Sequence, residues 1–231
     1  MFIKQADENN YPVFVACNMR FHPGPTTIKN YLNKIGRPIF FDAYFSHYLP
    51  YMRPDIDYKE IYFAESSEAG GVIFDSIHEI DYVTWLAGKV SKVNSSYYSK
   101  LSDLQLNTED YAVFSLSHEN NISSCIRLDY ISKYKMRGCK VIGREGNLIW
   151  ESVGKSPEKC IIKYCHRDVG EEVLYEDDNL DINQAYIDML LDFIKSIQGE
   201  SKKKLLTGKK ALDVLNTAIR VKNTMNENKT V

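Results

Sequence analysis

Apolar positions along this chain follow two different periods. From residue 70 to 88 they recur at helical spacing: at about 100° per residue, Ile73, Ile77, Ile80, Val83 and Ala87 share one arc, a stripe that faces a core. Gly88 follows and suits a left-handed C-cap. Further helices are predicted over Pro25–Ile35, opened by proline and followed by Gly36, and over Ile182–Ile197 and Gly208–Thr224. Elsewhere the period falls to two, or the residues are rich in β-branched and aromatic types. Pro38–Tyr48 reads as a long strand, and Val90–Tyr98, Tyr111–Ser117, Ser123–Tyr130, Lys135–Gly143, Gly146–Glu151, Lys159–Cys165 and Glu172–Tyr175 read as a run of strands. Gly143-Arg144-Glu145-Gly146 reads as a hairpin turn. Residues 49–69 form a polar, proline-containing loop of a length that is often functional. Its aromatics, Tyr51, Tyr58, Tyr62 and Phe63, fit either stacking on a sugar ring or packing the loop onto the core.

Strands in sequence, framed by helices, predict an α+β domain: a large, mostly antiparallel sheet with helices on one face. The open face, rich in Tyr, Ile and Phe, needs cover. Self-association through that face, most simply as a two-fold dimer, is the expectation.

Composition narrows the function. At 231 residues, 44% hydrophobic and 12% aromatic, the chain has ample material for a globular core. A net charge of −2 implies no nucleic-acid partner. Lys202-Lys203-Lys204 with Lys209-Lys210 reads as a solvated loop before the last helix rather than a phosphate patch. No apolar run approaches about 18 residues, so no membrane span is expected. The first residues lack a signal-peptide layout. Five cysteines, Cys17, Cys125, Cys139, Cys160 and Cys165, form no Cys-x-x-Cys pair, and Cys160, Cys165 and His166 lack metal-ligand spacing. Reduced thiols, a cytoplasmic location and no metal site are the expectation.

The candidate chemistry lies on a second arc of the 70–88 helix, where Asp75, His78, Tyr82 and Trp85 fall together. A lone half-buried histidine is ordinarily structural. A carboxylate one turn away changes that, because it can orient an imidazole for general acid/base work.

Gly70, Gly71, Asp75, His78, Glu79, Asp81, Tyr82, Trp85, Leu86 and Gly88 stand at the spacing Gly-Gly-Gly-x-x-x-Asp-x-x-His-Glu-x-Asp-Tyr-x-x-Trp-Leu-x-Gly, less one glycine. In this the segment resembles the Gfo/Idh/MocA family of sugar and cyclitol oxidoreductases. The resemblance extends to Asn18-Met19-Arg20-Phe21-His22-Pro23, similar to the family's interdomain junction, and to Tyr48–Pro54 and Asp57-Tyr58-Lys59, similar to its substrate-side loop. It continues through Ala185–Asp188, Phe193-Ile194 and Thr207-Gly208, and so covers nearly the whole chain. Departures occur at Met52, where tryptophan is usual, at Lys59, where arginine is usual, and at Phe63, where a small polar residue is usual.

The resemblance implies a dihydrodipicolinate-reductase-like C-terminal fold, with His78 as general base and Asp75 orienting it or holding a substrate hydroxyl. It implies Arg20, His22, Arg53, Tyr58, Lys59 and Tyr82 as substrate contacts. It also implies NAD or NADP as cofactor. Family members carry a Gly-x-Gly-x-x-Gly dinucleotide fingerprint and a Glu-Lys-Pro motif, and neither occurs here. Residues 1–18 therefore read as a remnant of a Rossmann domain (a late helix over Met1–Asn10 and a last strand over Tyr11–Asn18). Residues 19–225 read as the substrate-binding and oligomerisation domain, and 226–231 as a tail. The expected function is the C-terminal half of an NAD(P)-dependent sugar or cyclitol oxidoreductase, unable to hold cofactor alone and inactive without a Rossmann domain, which a separate chain would supply. The alternative is a non-catalytic sugar-binding or assembly module, or a truncated product.

Overall fold

The computed structural model describes residues 2–60, 70–154, 157–200 and 204–228. Helix α1 (Phe2–Glu8) leads to a two-residue strand, β1 (Phe14–Val15), which pairs antiparallel with β10 (Leu206–Thr207). Helix α2 (Pro23–Tyr31) starts two residues before the predicted Pro25. The reason is local: His22 acts as N-cap, its Nδ1 accepting the Gly24 N–H at 3.0 Å. The helix tightens to a 3-10 turn over Leu32–Ile35, and Gly36 stops it at φ 67°.

The centre is an eight-stranded sheet of order β3-β4-β5-β2-β6-β7-β8-β9. Its strands are β2 (Pro38–Ser46), β3 (Val90–Ser99), β4 (Tyr111–His118), β5 (Ser123–Asp129), β6 (Met136–Gly143), β7 (Asn147–Val153), β8 (Glu158–His166) and β9 (Gly170–Leu180). Every neighbouring pair is antiparallel except β2 and β5. After β2 the chain travels to the far edge, and β3-β4-β5 meander back to lay β5 parallel to β2. β6 to β9 then extend the other half outward. The predicted hairpin turn closes with Gly143 N–H donating to the Gly146 carbonyl at 2.9 Å. β9 runs longer than the predicted Glu172–Tyr175, carried by bulged pairing with β8 rather than by apolar alternation.

Period-two burial sorts the two faces. Phe41, Ala43 and Phe45 of β2, Ala112, Phe114 and Leu116 of β4, Cys139 and Val141 of β6, and Trp150 and Ile162 on β7 and β8 are buried beneath helices. Those helices are α2, α5 (Ile77–Ala87) and α7 (Gly208–Asn228). Ile28, Ile80, Tyr82, Val83, Val214 and Ala218 supply the facing layer. The opposite face carries half-buried Phe40, Tyr44, Val113, Ile149 and Ile161 between the exposed polar groups Asp42, Lys140 and Glu151. The fold is thus α+β with a largely antiparallel sheet, helices on one face and, among the described residues, the other face open.

The predicted continuous helix over 70–88 is two helices, α4 (Val72–Asp75) and α5, broken at Ser76 with φ −93° and ψ 33°. The expected core position Ile77 stands one residue after this break and is only half-buried, packing against the main core and lining an apolar cavity beside Phe2, Ile3 and Leu212. Residues 49–60 are not structureless. They hold a helical turn, α3 (Leu49–Met52), and a 3-10 turn at Tyr58–Glu60. Tyr62, Phe63 and Ala64 lie outside the described residues.

Candidate active site

A cleft of about 350 Å³ opens beside the start of α5. Its walls come from the junction before α2 (Asn18, Met19, His22), the end of β2 and the following turn (Phe45, His47, Met52, Arg53) and the α4–α5 break (Asp75, Ser76, His78). Lys135 and Arg137 at β6, Glu158 at β8, and Ile182 and Tyr186 near the helix α6 (Asn183–Ile197) complete it.

His78 is the second residue of α5. Its Nδ1 is shut from solvent and makes no hydrogen bond, which leaves Nε2 as the nitrogen open to the cleft. Burial, reinforced by the positive charge of Arg137, lowers the imidazole pKa from 6.5 to about 4, so it is neutral at pH 7. Asp75 accepts a hydrogen bond from the Tyr130 hydroxyl at 2.8 Å. Burial raises its carboxyl pKa, and the Tyr130 bond and the charges of Arg53 and Arg137 partly offset the rise. No hydrogen bond joins Asp75 to His78. The break at Ser76 removes the regular one-turn relation, so Asp75 does not orient the imidazole as the wheel implied.

Two buried ion pairs floor the cleft. Arg137 Nε lies 2.7 Å from Glu79 Oε1, and its guanidinium stacks 4.3 Å from the centre of the Phe45 ring, its direct cross-strand neighbour. The His22 Nδ1 is occupied by the Gly24 N–H, so the ring proton sits on Nε2 and is donated to Glu158 Oε1 at 3.0 Å. The other Glu158 oxygen takes Lys135 Nζ. Burial alone would raise the Glu158 pKa, but the His22 hydrogen bond and the Lys135 charge outweigh it and bring it to about 2.

The structure gathers four of the eight named site residues, His78, Asp75, His22 and Arg53, on this cleft. The other four lie elsewhere. Arg20 is buried and holds Asp81 through Nε at 2.9 Å and Nη2 at 2.7 Å, away from the cleft lining. Tyr82 is fully buried, its ring 5.6 Å from that of Trp150 and its hydroxyl donating to the Gly138 carbonyl. On α5 the arc is covered after its first turn, where Trp150 lies against Tyr82, so of the arc's members on that helix only His78 lines the cleft. The Tyr58 hydroxyl accepts the Gln105 N–H at 3.1 Å, which ties the loop to the body. Lys59 is exposed, its backbone N–H bonded to Asp57. Sequence reasoning missed Lys135, Arg137, Glu158 and Tyr130. Arg137 and Glu158 carried a signal: each is a charged residue at a core-facing position of a strand.

The Gly70-Gly71 opening is occupied from within the chain. The Glu109 carboxylate already sits there, accepting the Ile73 N–H at 3.3 Å and lying 2.4 Å from where a Gly71 Cβ would be. Lys222 neutralises that carboxylate at 3.1 Å. Among the described residues no group of three or more His, Cys, Asp or Glu side chains is placed to hold a metal, and no helix is long and apolar enough to cross a membrane.

Residues 32–149 match the GFO/IDH/MocA C-terminal domain, and the chain belongs to that family. No curated protein matches the sequence. Among solved structures, an oxidoreductase from Agrobacterium radiobacter in complex with NAD+, L-tartaric acid and magnesium superposes with TM-score 0.76 at 15% identity, over 99% of this chain and 66% of that one. The WlbA dehydrogenase from Bordetella pertussis, in complex with NADH and UDP-GlcNAcA, gives TM-score 0.72 at 16% identity over 98% and 64%. An aldose-aldose oxidoreductase from Caulobacter crescentus, complexed with glycerol, gives 0.74 at 14% over 98% and 65%. The chain therefore spans slightly less than two thirds of the length of these structures, and the likeness is one of fold.

Proposed function

We propose that residues 19–225 form the substrate-binding and self-associating unit of an NAD(P)-dependent oxidoreductase acting on a carbinol of a sugar, cyclitol or sugar-derived acid. The observation that carries this reading is the meeting of His78 and Asp75 on one cleft, with a neutral imidazole whose Nε2 is open. Neutral His78 takes the hydroxyl proton of the carbinol. Asp75, with one oxygen fixed by Tyr130, receives a neighbouring substrate hydroxyl on the other. Arg53 and Arg137 place positive charge at the same wall, where a carboxylate or a developing alkoxide is stabilised. These residues handle the proton. The hydride acceptor is the nicotinamide, held outside this unit by a dinucleotide-binding domain, because the glycine pair here is already filled by Glu109. The relatives solved with NAD+ and NADH, and with L-tartaric acid and UDP-GlcNAcA, support the cofactor and substrate classes.

The test joins this unit to the dinucleotide-binding domain of the Agrobacterium oxidoreductase and measures NAD+ reduction with hydroxy acids and sugars. Turnover lost in His78→Ala, in a fusion that still folds, is the expected result. A fusion that turns over equally well with His78→Ala refutes the assignment. A folded fusion that binds sugar acids without turnover favours the second reading, a non-catalytic binding module.

A further inference from the structure

At the C-terminal end of α5, away from the cleft at its start, lies a second cavity of about 350 Å³, lined by Arg20, Thr84, Trp85, Gly88, Lys89, Lys210, Asp213 and Val214. Its chemistry is that of a site for negative charge. Lys29 is not on the wall but packs on a wall residue, its ammonium 4.5 Å from the centre of the Trp85 ring. Burial lowers the Lys29 pKa, and the charges of Arg20 and Lys210 lower it further, so these three cations crowd one another. The compensating carboxylates are few. Asp81 is consumed by Arg20. Lys89 reaches Glu119, at 4.0 Å and on the surface. Lys29 and Lys210 have no carboxylate within salt-bridge distance among the described residues, and Asp213 is the one acid among the residues that line the cavity. Finally, the Thr84 Oγ1 is buried and makes no hydrogen bond, although a helical threonine can ordinarily satisfy its hydroxyl on the carbonyl one turn back. A donor with no acceptor, beside unneutralised ammonium groups, is a cost the fold recovers when an anion enters.

We propose that this cavity binds the phosphate group of a small molecule, with Lys210 and Lys89 supplying charge at the wall, Lys29 adding to it from beside Trp85, and the Thr84 hydroxyl supplying a directed hydrogen bond. The dianionic charge of phosphate matches the excess of cations better than a single carboxylate does. Both Lys29 and Arg20 already lie over the Trp85 ring, at 4.5 and 5.6 Å, so the indole serves as a wall and not as a stacking platform for a base. The binding is independent of His78 and of any cofactor domain.

Trp85 reports on its own cavity, because the only other tryptophan, Trp150, is fully buried beneath α2. The experiment titrates the intact chain with sodium phosphate at ionic strength held constant with chloride and follows tryptophan emission. A saturable change is expected, absent in Trp85→Phe. Lys210→Gln and Thr84→Val should each weaken the affinity about tenfold, the size of one charge-assisted hydrogen bond. Glucose 6-phosphate and AMP, run beside glucose and adenosine, then assign the source: tighter binding of one ester than of inorganic phosphate identifies an organic phosphate, and equal affinity identifies the free ion. Acetate binding as tightly as phosphate overturns the proposal. So does the absence of a saturable signal, or an affinity that neither Lys210→Gln nor Thr84→Val alters.

Discussion

Arg20 sits in the segment that resembles the family's interdomain junction, where a substrate contact was expected, and the structure gives it a different task. Its guanidinium meets Asp81 in a fork, with Nε at 2.9 Å from one oxygen and Nη2 at 2.7 Å from the other. The side chains are 4% and 0% exposed. Arg20 Nη1 also reaches the Lys204 carbonyl at 3.4 Å, so the pair joins α5 to the segment that leads into β10. Replacing Arg20 by Met keeps most of the stem's volume but leaves Asp81 as a buried carboxylate without its partner. Breaking a buried pair from one side costs about 3–5 kcal/mol. For a domain of this size each kcal/mol lowers the melting temperature by roughly 2–4 °C, so the loss amounts to about 6–20 °C. Arg20→Lys keeps the charge and loses the fork, and should fall between Met and wild type. Arg20→Met with Asp81→Leu removes both charges and should recover most of the stability. Urea unfolding measures the series, and an unchanged m-value shows that the change lies in stability rather than compactness. An Arg20→Met protein within about 0.5 kcal/mol of wild type, with a selective loss of ligand binding in the cleft, would refute the structural assignment and return Arg20 to the substrate.

Three further outcomes are expected. Tyr130→Phe removes the hydroxyl bonded to Asp75, so the Asp75 carboxyl should titrate higher still in a carboxyl-carbon NMR titration, with a stability loss of about 1 kcal/mol. His78 and Glu158 both titrate lower in the folded chain than free, so each contributes stability at high pH that falls away with acid. The loss should run from pH 6.5 towards about 4 for His78 and from 4.5 towards about 2 for Glu158, and His78→Asn should flatten the upper window of a stability–pH curve. The open sheet face should pair with a second copy over more than about 1,000 Å² in total, giving a dimer by light scattering, and Tyr44→Glu on that face should shift it towards monomer.

What could be read from the sequence divides along a physical line. Strands were legible wherever one face is buried, because burial enforces alternation: β4 shows it over all eight residues, and its predicted span differs by one residue. β9 was truncated in the sequence reading because its outer half is held by ladder hydrogen bonds and ion pairs such as Lys163–Glu171, which leave no hydrophobic period. The 72–87 segment was legible as helix but not as a broken one. Nothing local signals the break at Ser76, and the start of α4 is held from a distance, by Glu109 accepting the Ile73 N–H from 36 residues along the chain.

The candidate site shows the same limit more sharply. A helical wheel assumes that one arc meets one environment, yet α5 runs from an open cleft into a covered core within two turns. His78 and Tyr82 share an arc and have opposite fates, because Trp150, brought by β7, closes over the second and not the first. The partners that set the cleft's charge, Arg137 and Glu158, come from strands 58 and 136 residues away from the groups they contact, Glu79 and His22. Their legible sign was a charge on the buried side of an alternating strand. Such a position is costly unless the charge is paired, so it marks where a polar constellation must assemble even when its other members are unknown. Over the predicted strand Lys135–Gly143 that reasoning selects Lys135 and Arg137, which share the parity of buried Cys139 and Val141, and carrying the Lys159–Cys165 alternation back by one residue selects Glu158.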